Sequence, residues 1–179
     1  RRVEALRPGD LVLTRDSGFQ AICWAGRRDL QPGDLIANPA LRPVRIAKGA
    51  LGQGLPQRDI LVSSQHRMLI EGARAELLFG EREVLVAALH LVGQPGIAQV
   101  TPRKGVSYIH LMCSQHEIVQ AEGAWTESFQ PGVGTLDAMG CAQRAEVLAL
   151  FPELADPAQP YRAARATLRA HEARVLLAA

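Results

Sequence analysis

The chain holds two segments in which histidines stand beside hydroxyl, thiol or carboxylate residues. The first is Leu61-Val62-Ser63-Ser64-Gln65-His66-Arg67-Met68-Leu69. A hydroxyl three residues before a histidine, at the end of a β run, can bring both side chains to one site. His66 can donate or accept a proton near neutral pH, and Ser63 can supply a hydroxyl that orients a substrate amide. The plain alternative is a surface histidine after a strand. The second segment runs from Val106-Ser107-Tyr108-Ile109-His110-Leu111 through His116-Glu117-Ile118-Val119 to Gly123-Ala124-Trp125-Thr126-Glu127-Ser128-Phe129. His110 and His116 share a strand face only if no turn intervenes, and Ser114-Gln115 is a candidate turn. Together with Cys113 they are ligand types that zinc accepts, but their spacing matches no familiar closed set.

The elements around these residues read mostly as β. Arg7-Pro8-Gly9-Asp10 is a turn signal before the strand Leu11 to Thr14, and Asp16-Ser17-Gly18 precedes a second apolar run, Phe19 to Ala25. Leu6-Arg7-Pro8-Gly9-Asp10-Leu11-Val12 has a near-echo in Leu30-Gln31-Pro32-Gly33-Asp34-Leu35-Ile36. It is either a repeated common turn or the trace of an internal duplication. Val44 to Ile46, Asp59 to Val62 and Arg67 to Ile70 read as further strands. Gly49 to Gly54 reads as a plain flexible loop, since it lacks the strand, helix and Lys-Ser/Thr ending of a phosphate loop. Ala73 to Phe79 is a short helix or strand. Glu83 to Val92 is a buried strand, a helix, or one of each. Tyr108 to Cys113 alternates, and Glu117 to Gln120 leads into Gly123-Ala124-Trp125. From Leu136 the chain is rich in Ala, Leu, Arg and Glu. The pattern predicts a helix from Asp137 to about Leu150, a hinge at Pro157 to Pro160, and a helix over Ala163 to Leu177. The boundary near Gly132 divides a β domain, residues 1–132, from a helical extension, residues 133–179. Two short helices make a poor core alone, so the extension should pack on the domain or on a partner.

Bulk properties narrow the function classes. The 179 residues are 47% hydrophobic and 21% charged, a globular balance with room for a proper core. The net charge is +2 and the arginines are scattered, so nothing points to nucleic acid. Arginine far outnumbers lysine, as a GC-rich genome would give. No apolar run reaches the length of a membrane span, and the opening residues do not read as a signal peptide, which says little of a longer parent. The three cysteines, Cys23, Cys113 and Cys141, have no CxxC spacing, which argues against a disulfide framework or an ordinary zinc site. Cys23 reads as a small buried hydrophobe within a strand. The opening Arg1-Arg2-Val3-Glu4, without an initiator methionine, reads as part of something longer.

Taken together, the ordered segments resemble the Hint superfamily of hedgehog C-terminal regions and inteins. Ser63-x-x-His66 stands where that family has Thr-x-x-His. Tyr108-Ile109-His110-Leu111, then His116, then Gly123, resembles its C-terminal motif, and Val3 to Asp10 resembles the segment near its start. The likeness covers residues 3 to 129. With Arg74 to Glu81 and Glu117 to Phe129, it is greatest to a bacterial Hint subfamily attached to larger, sometimes secreted, proteins. It implies a curved, pseudo-symmetric, mainly β fold with a C-terminal helical extension. It also implies self-processing. A Cys or Ser that opens the domain attacks the carbonyl just upstream and turns the amide into a thioester or ester. On this likeness His66 protonates the leaving nitrogen, and Ser63 holds or twists the scissile amide. His110 activates the nucleophile or stabilises the intermediate, and His116 is a further member of the site. His66 and the His110 strand should then approach each other near the N-terminal end.

The chain departs from the family at its ends. Arg1 is neither Cys nor Ser, and the family start should lie a short way upstream. Inteins end in His-Asn, whose Asn cyclises; here Glu127-Ser128 follows Thr126, and the chain continues, as it does in the hedgehog arrangement. The expected reaction is therefore cleavage or transfer of the protein's own upstream segment by an N-to-S/O acyl shift. Full splicing is not expected, and this chain alone should perform neither reaction. No cofactor is implied. Two alternatives stand beside this reading. One is a catalytically inactive Hint-like binding or structural module. The other is a metal-dependent hydrolase using His66, His110 and Cys113.

Overall fold

The computed structural model describes residues 1–131, 136, 141–151, 154 and 162–178, and over these the chain is mostly β. The β part contains β1 (Leu11–Leu13), β2 (Phe19–Ala21), β3 (Trp24–Leu30), α1 (Pro32–Ala37), β4 (Val44–Ile46), β5 (Ile60–Val62) and β6 (Arg67–Glu71). It continues with α2 (Ala73–Phe79), β7 (Glu83–Ala87), α3 (Ala88–Leu91), β8 (Ile97–Gln99), β9 (Val106–Met112), β10 (Ile118–Ala121) and β11 (Ala124–Glu127). The C-terminal part adds α4 (Cys141–Leu150), β12 (Ala166–Thr167) and α5 (Ala170–Leu177).

These strands form one five-stranded sheet, ordered β10-β11-β6-β7-β12, and three smaller units. β1 and β2 make a hairpin, β4 lies between β5 and β8, and β3 pairs with β9 from Trp24↔Met112 to Leu30↔Val106. Every pairing of strands is antiparallel except that of β12 with β7. The mainly β fold with a helical C-terminal part is thus as the sequence indicates.

The repeated Pro-Gly-Asp shows how one turn serves two ends. Around both copies the aspartate carboxylate accepts from the amide three residues back, Arg7 N to Asp10 Oδ2 and Gln31 N to Asp34 Oδ2, each at 2.8 Å. Both aspartate amides also close the turn at 3.0 Å, onto Arg7 O and Gln31 O. The copies then diverge. Gly9 adopts φ +89° and sends the chain into β1, whereas Gly33 sits inside α1, with Pro32 as its first residue. The shared hexapeptide is a shared turn.

Other boundaries shift for equally local reasons. The apolar run Phe19 to Ala25 is split: Ile22 N donates to Asp10 O, while Cys23 N donates to Met112 O. Cys23 therefore lies between strands, half-buried, and not within one. Residues 83–92 become one strand and one helix, and Ala73 to Phe79 is a helix. The Gly49 to Gly54 loop is held by its own backbone bonds, among them Gly49 N to Pro56 O and Leu51 N to Leu55 O, and Ala50, Leu51 and Leu55 pack on the core.

Two clusters form most of the core. One joins Val44 and Ile46 of β4, Met68 of β6, Val84 and Val86 of β7 and Leu91 of α3 with Leu168, Ala173 and Leu176 of the C-terminal part. The other joins Trp24 and Met112 of the β3–β9 ribbon with Leu136, Val147, Phe151 and Leu154. The helix expected over Ala163 to Leu177 begins only at Ala170. Ala166 and Thr167 instead lie parallel to Val84 and Leu85, and Leu168 N donates to Leu85 O at 2.9 Å. The open edge of β7 offers unpaired backbone groups, and satisfying them outweighs the helical preference of this alanine-rich run. The start expected at Asp137 and the hinge at Pro157 to Pro160 lie outside the described residues.

Ion pairs reinforce the same junction. Arg165 meets Glu83 and Asp16, each at 2.7 Å, and Arg15 pairs with Glu83 and, at 2.5 Å, with Glu71. The Arg15 guanidinium also lies 5.2 Å from the centre of the Trp125 ring. Leu168 is therefore part of the β domain's own core. Leu168→Ala should cost about 2–5 kcal/mol in a single urea transition followed by tryptophan fluorescence. Leu77→Ala, on a side chain 85% exposed, should stay within about 0.5 kcal/mol. Equal effects of the two would show that the C-terminal part does not share this core.

Candidate active site

Ser63 to His66 form a β-turn between β5 and β6, closed by His66 N to Ser63 O at 3.1 Å. Three further bonds fix it. The Ser64 hydroxyl donates to Ala40 O at 2.8 Å, Leu89 N donates to Ser64 O at 2.9 Å, and Ala88 N donates to His66 O at 2.8 Å. The turn is thus clamped by α3 and by the short helix of Pro39–Leu41.

The His66 ring reaches across to β11. Its Nε2 is hydrogen-bonded to Oγ1 of Thr126, and the Thr126 hydroxyl bonds in turn to Arg67 O at 2.9 Å. Burial lowers the pKa of His66 below its ordinary value. Glu127 nearby opposes this, and Arg67 and His116 add to it. β11 joins β6 at one residue pair, Thr126 with Met68. Beside that pair, two side chains of β11 also bond the backbone of β6. Thr126 takes the carbonyl of Arg67, and Glu127 Oε1 accepts from its amide at 2.9 Å.

Glu127 is the centre of a second, adjoining cluster. Its Oε2 accepts from Arg67 Nη1 at 3.0 Å and lies 3.3 Å from His116 Nε2. The His116 side chain is fully buried, and its Nδ1 accepts from the backbone N–H of Ala164 at 2.9 Å. A ring nitrogen that accepts carries no proton, which leaves Nε2 to bear one; it lies near the carboxylate without hydrogen-bond geometry.

His110 stands on β9 opposite Gly26 of β3. Its ring meets Phe129 edge-on, with centroids 4.9 Å apart, and Phe129 lies 5.9 Å from Trp24. A Cβ at Gly26 would come within 2.1 Å of the Trp24 ring, so only glycine lets the indole cover that strand. Burial lowers the His110 pKa, and His66 and Arg28 lower it further. The two histidines are thus within electrostatic reach of each other. The Arg58 guanidinium, hydrogen-bonded to Glu122, lowers the Glu122 pKa at the turned end of the β10–β11 hairpin that carries Thr126.

The structure therefore gathers His66, His110 and His116 around β6 and β11, with Ser63 at the start of the His66 turn. His110 and His116 do not share a strand face, because the reversal at residues 113–117 separates β9 from β10. Gly123 has a conformational role. With Glu122 at φ +50° and Gly123 at +79°, it makes the two-residue turn of the hairpin, and a Cβ there would come within 2.7 Å of Leu55. Cys113 is buried beside Cys23 and Glu117, and its thiol is pushed up to about 11, chiefly by burial. Among the described residues, no three of His, Cys, Asp and Glu are grouped so as to hold a metal ion. The set His66, His110 and Cys113 is thus not assembled as ligands. Thr126 and Glu127 are the side chains at the site that spacing alone does not reveal. The available signal is a threonine at an inward position of the strand Ala124-Trp125-Thr126-Glu127.

Fold and site together define a mainly β domain built around a buried histidine cluster. The family model for the Hint domain matches residues 1–133, and the chain belongs to that family. No curated protein and no solved structure matches it.

The partly buried His66 and His110 make stability pH-dependent with a definite sign. A histidine whose folded pKa is depressed binds fewer protons than its unfolded counterpart, so acid favours unfolding. The unfolding free energy should fall as pH drops below about 6.5, by up to about 1.4 kcal/mol per pH unit for each such histidine. Carboxylates such as Asp10, held low by the hydrogen bond from Arg1, contribute only below about pH 4. Urea titrations between these limits should show the slope, and His110→Phe should reduce it. A flat profile would contradict the lowered pKa of both rings.

Proposed function

We propose that this domain is an autoprocessing module that cleaves or transfers its own upstream segment. A Cys or Ser supplied upstream attacks the carbonyl before it. A C–S or C–O bond forms and the C–N bond breaks. The nucleophile's proton passes through His66 to the departing nitrogen, leaving a free amine and a (thio)ester. An added thiol or other acceptor then releases the segment.

The observation that carries this reading is His66 itself. It is held in a clamped turn, anchored on Thr126, lowered in pKa, and within reach of His110. A lowered pKa suits the role, because the protonated ring is then a stronger acid toward a poor leaving group. His110 and Ser63 would help to activate the nucleophile and to hold the amide. His116 acts at a remove, through Glu127.

The test uses the chain extended upstream by its native residues and incubated with a small thiol. Mass spectrometry should find the upstream segment released, and His66→Ala should slow release by about 10²–10⁴-fold. An extended chain that stays intact, with His66→Ala making no difference, would favour the inactive binding module instead.

A further inference from the structure

We infer that Thr126 is a positioning residue that locks His66 in one tautomer, with the ring proton on Nε2, so that Nδ1 is the nitrogen left to take up and deliver a proton. The inference rests on where one hydroxyl proton must go. Thr126 has a single proton to donate and two neighbours within hydrogen-bond distance, His66 Nε2 and Arg67 O.

The backbone decides between them. His66 O accepts from Ala88 N, so along β6 the groups of His66 face β7, and those of Arg67 face the opposite way, toward β11. On that side the Arg67 amide donates to the Glu127 carboxylate, and the Thr126 hydroxyl oxygen lies 2.9 Å from the Arg67 carbonyl oxygen. A carbonyl can only accept, and two oxygens that close repel each other unless the hydroxyl proton lies between them. The imidazole can fill either role by moving its own proton. The arrangement that satisfies every group has Thr126 donating to Arg67 O and accepting from His66 Nε2–H.

Other groups around His66 do not overturn this assignment. Glu127 is already engaged by Arg67, and His116 presents its Nε2 to Glu127. His110 is packed edge-on against Phe129. The Thr126 contact is the hydrogen bond that distinguishes the two ring nitrogens of His66. Its importance for catalysis rests on the autoprocessing reading; the tautomer itself does not, and is measured without any reaction.

The experiment is nitrogen NMR on the 179-residue chain with ¹⁵N-labelled histidine, recorded above the histidine titration range. Long-range proton–nitrogen correlations should show His66 with a protonated, pyrrole-type Nε2 and a bare, pyridine-type Nδ1. Thr126→Ser, which keeps the hydroxyl, should preserve that pattern. Thr126→Val, which keeps the shape, should collapse it to an averaged pair. A proton on Nδ1 in the unaltered protein, or an unchanged pattern in Thr126→Val, would overturn the proposal. If Thr126→Val does not fold, the unaltered protein and Thr126→Ser still decide. In the upstream-extended chain, Thr126→Val should slow thiol-dependent release by about tenfold, less than loss of His66 itself, and shift its pH profile, while Thr126→Ser restores both. An extended chain that never cleaves, with the Nε2–H pattern intact, would count against the proposed function alone.

Discussion

The carboxylate of Glu127 is the constraint around which the rest of the site is arranged. Its side chain is 9% exposed, and a carboxylate that deep in the protein must be surrounded by donors. It accepts from the amide and guanidinium of Arg67, and the His116 ring lies 3.3 Å away. Each of these neighbours is bound to something else that matters. Arg67 follows His66 directly, so fixing its amide fixes the exit of the His66 turn. His116 is tied to Ala164, so the carboxylate indirectly senses the C-terminal part of the chain. Removing Glu127 would leave the Arg67 amide without its acceptor in a partly buried place. A fold held in this way has one arrangement of β6 against β11, not a family of related registers.

That arrangement explains why the C-terminal part belongs to the domain. β12 completes the edge of the sheet that carries His66, α5 puts Ala173 and Leu176 into the core, and Arg165 bridges Glu83 to Asp16 of the first hairpin. The amide of Ala164, only one residue before Arg165, is the group that orients His116. The first hairpin and the C-terminal part therefore meet at Arg165, one residue after the donor to His116. A helical extension that merely covered an apolar face would have no reason to supply a backbone donor to a buried histidine.

Much of this was legible in the residues, and the illegible parts have physical causes. Strands with apolar alternation or turn punctuation, such as β4, β6 and the hairpin around Gly123, could be read directly. β3 could not, because Gly26-Arg27-Arg28-Asp29 looks like a loop until β9 lies beside it. β12 was hidden for the opposite reason: its residues favour helix, and only the open edge of β7 overrides them. Ser63, His66, His110 and His116 were found because histidines beside hydroxyls are conspicuous. Thr126 and Glu127 were passed over because their roles depend on which way the backbone of Arg67 faces. That is a property of sheet register, which no local pattern encodes.

The same register bears on the chemistry at the end of the motif. Inteins place His-Asn where this chain has Glu127-Ser128, and their Asn must fold its side chain back onto its own carbonyl. Here both positions are in structural use. Glu127 is held by Arg67, and the Ser128 hydroxyl accepts from Glu117 N at 2.9 Å while Ser128 N donates to Glu117 O at 2.8 Å. Phe129 N then donates to Leu111 O, which seats the Phe129 ring against His110. A segment held at three successive residues, by one side chain and two backbone amides, has little freedom to cyclise, and its side chains serve to order the histidines instead. Under the proposed function, the residues that would complete a second cleavage in an intein have become the support for the first. The limit to one-ended processing is then built into the packing of β11, as well as into the absence of an asparagine.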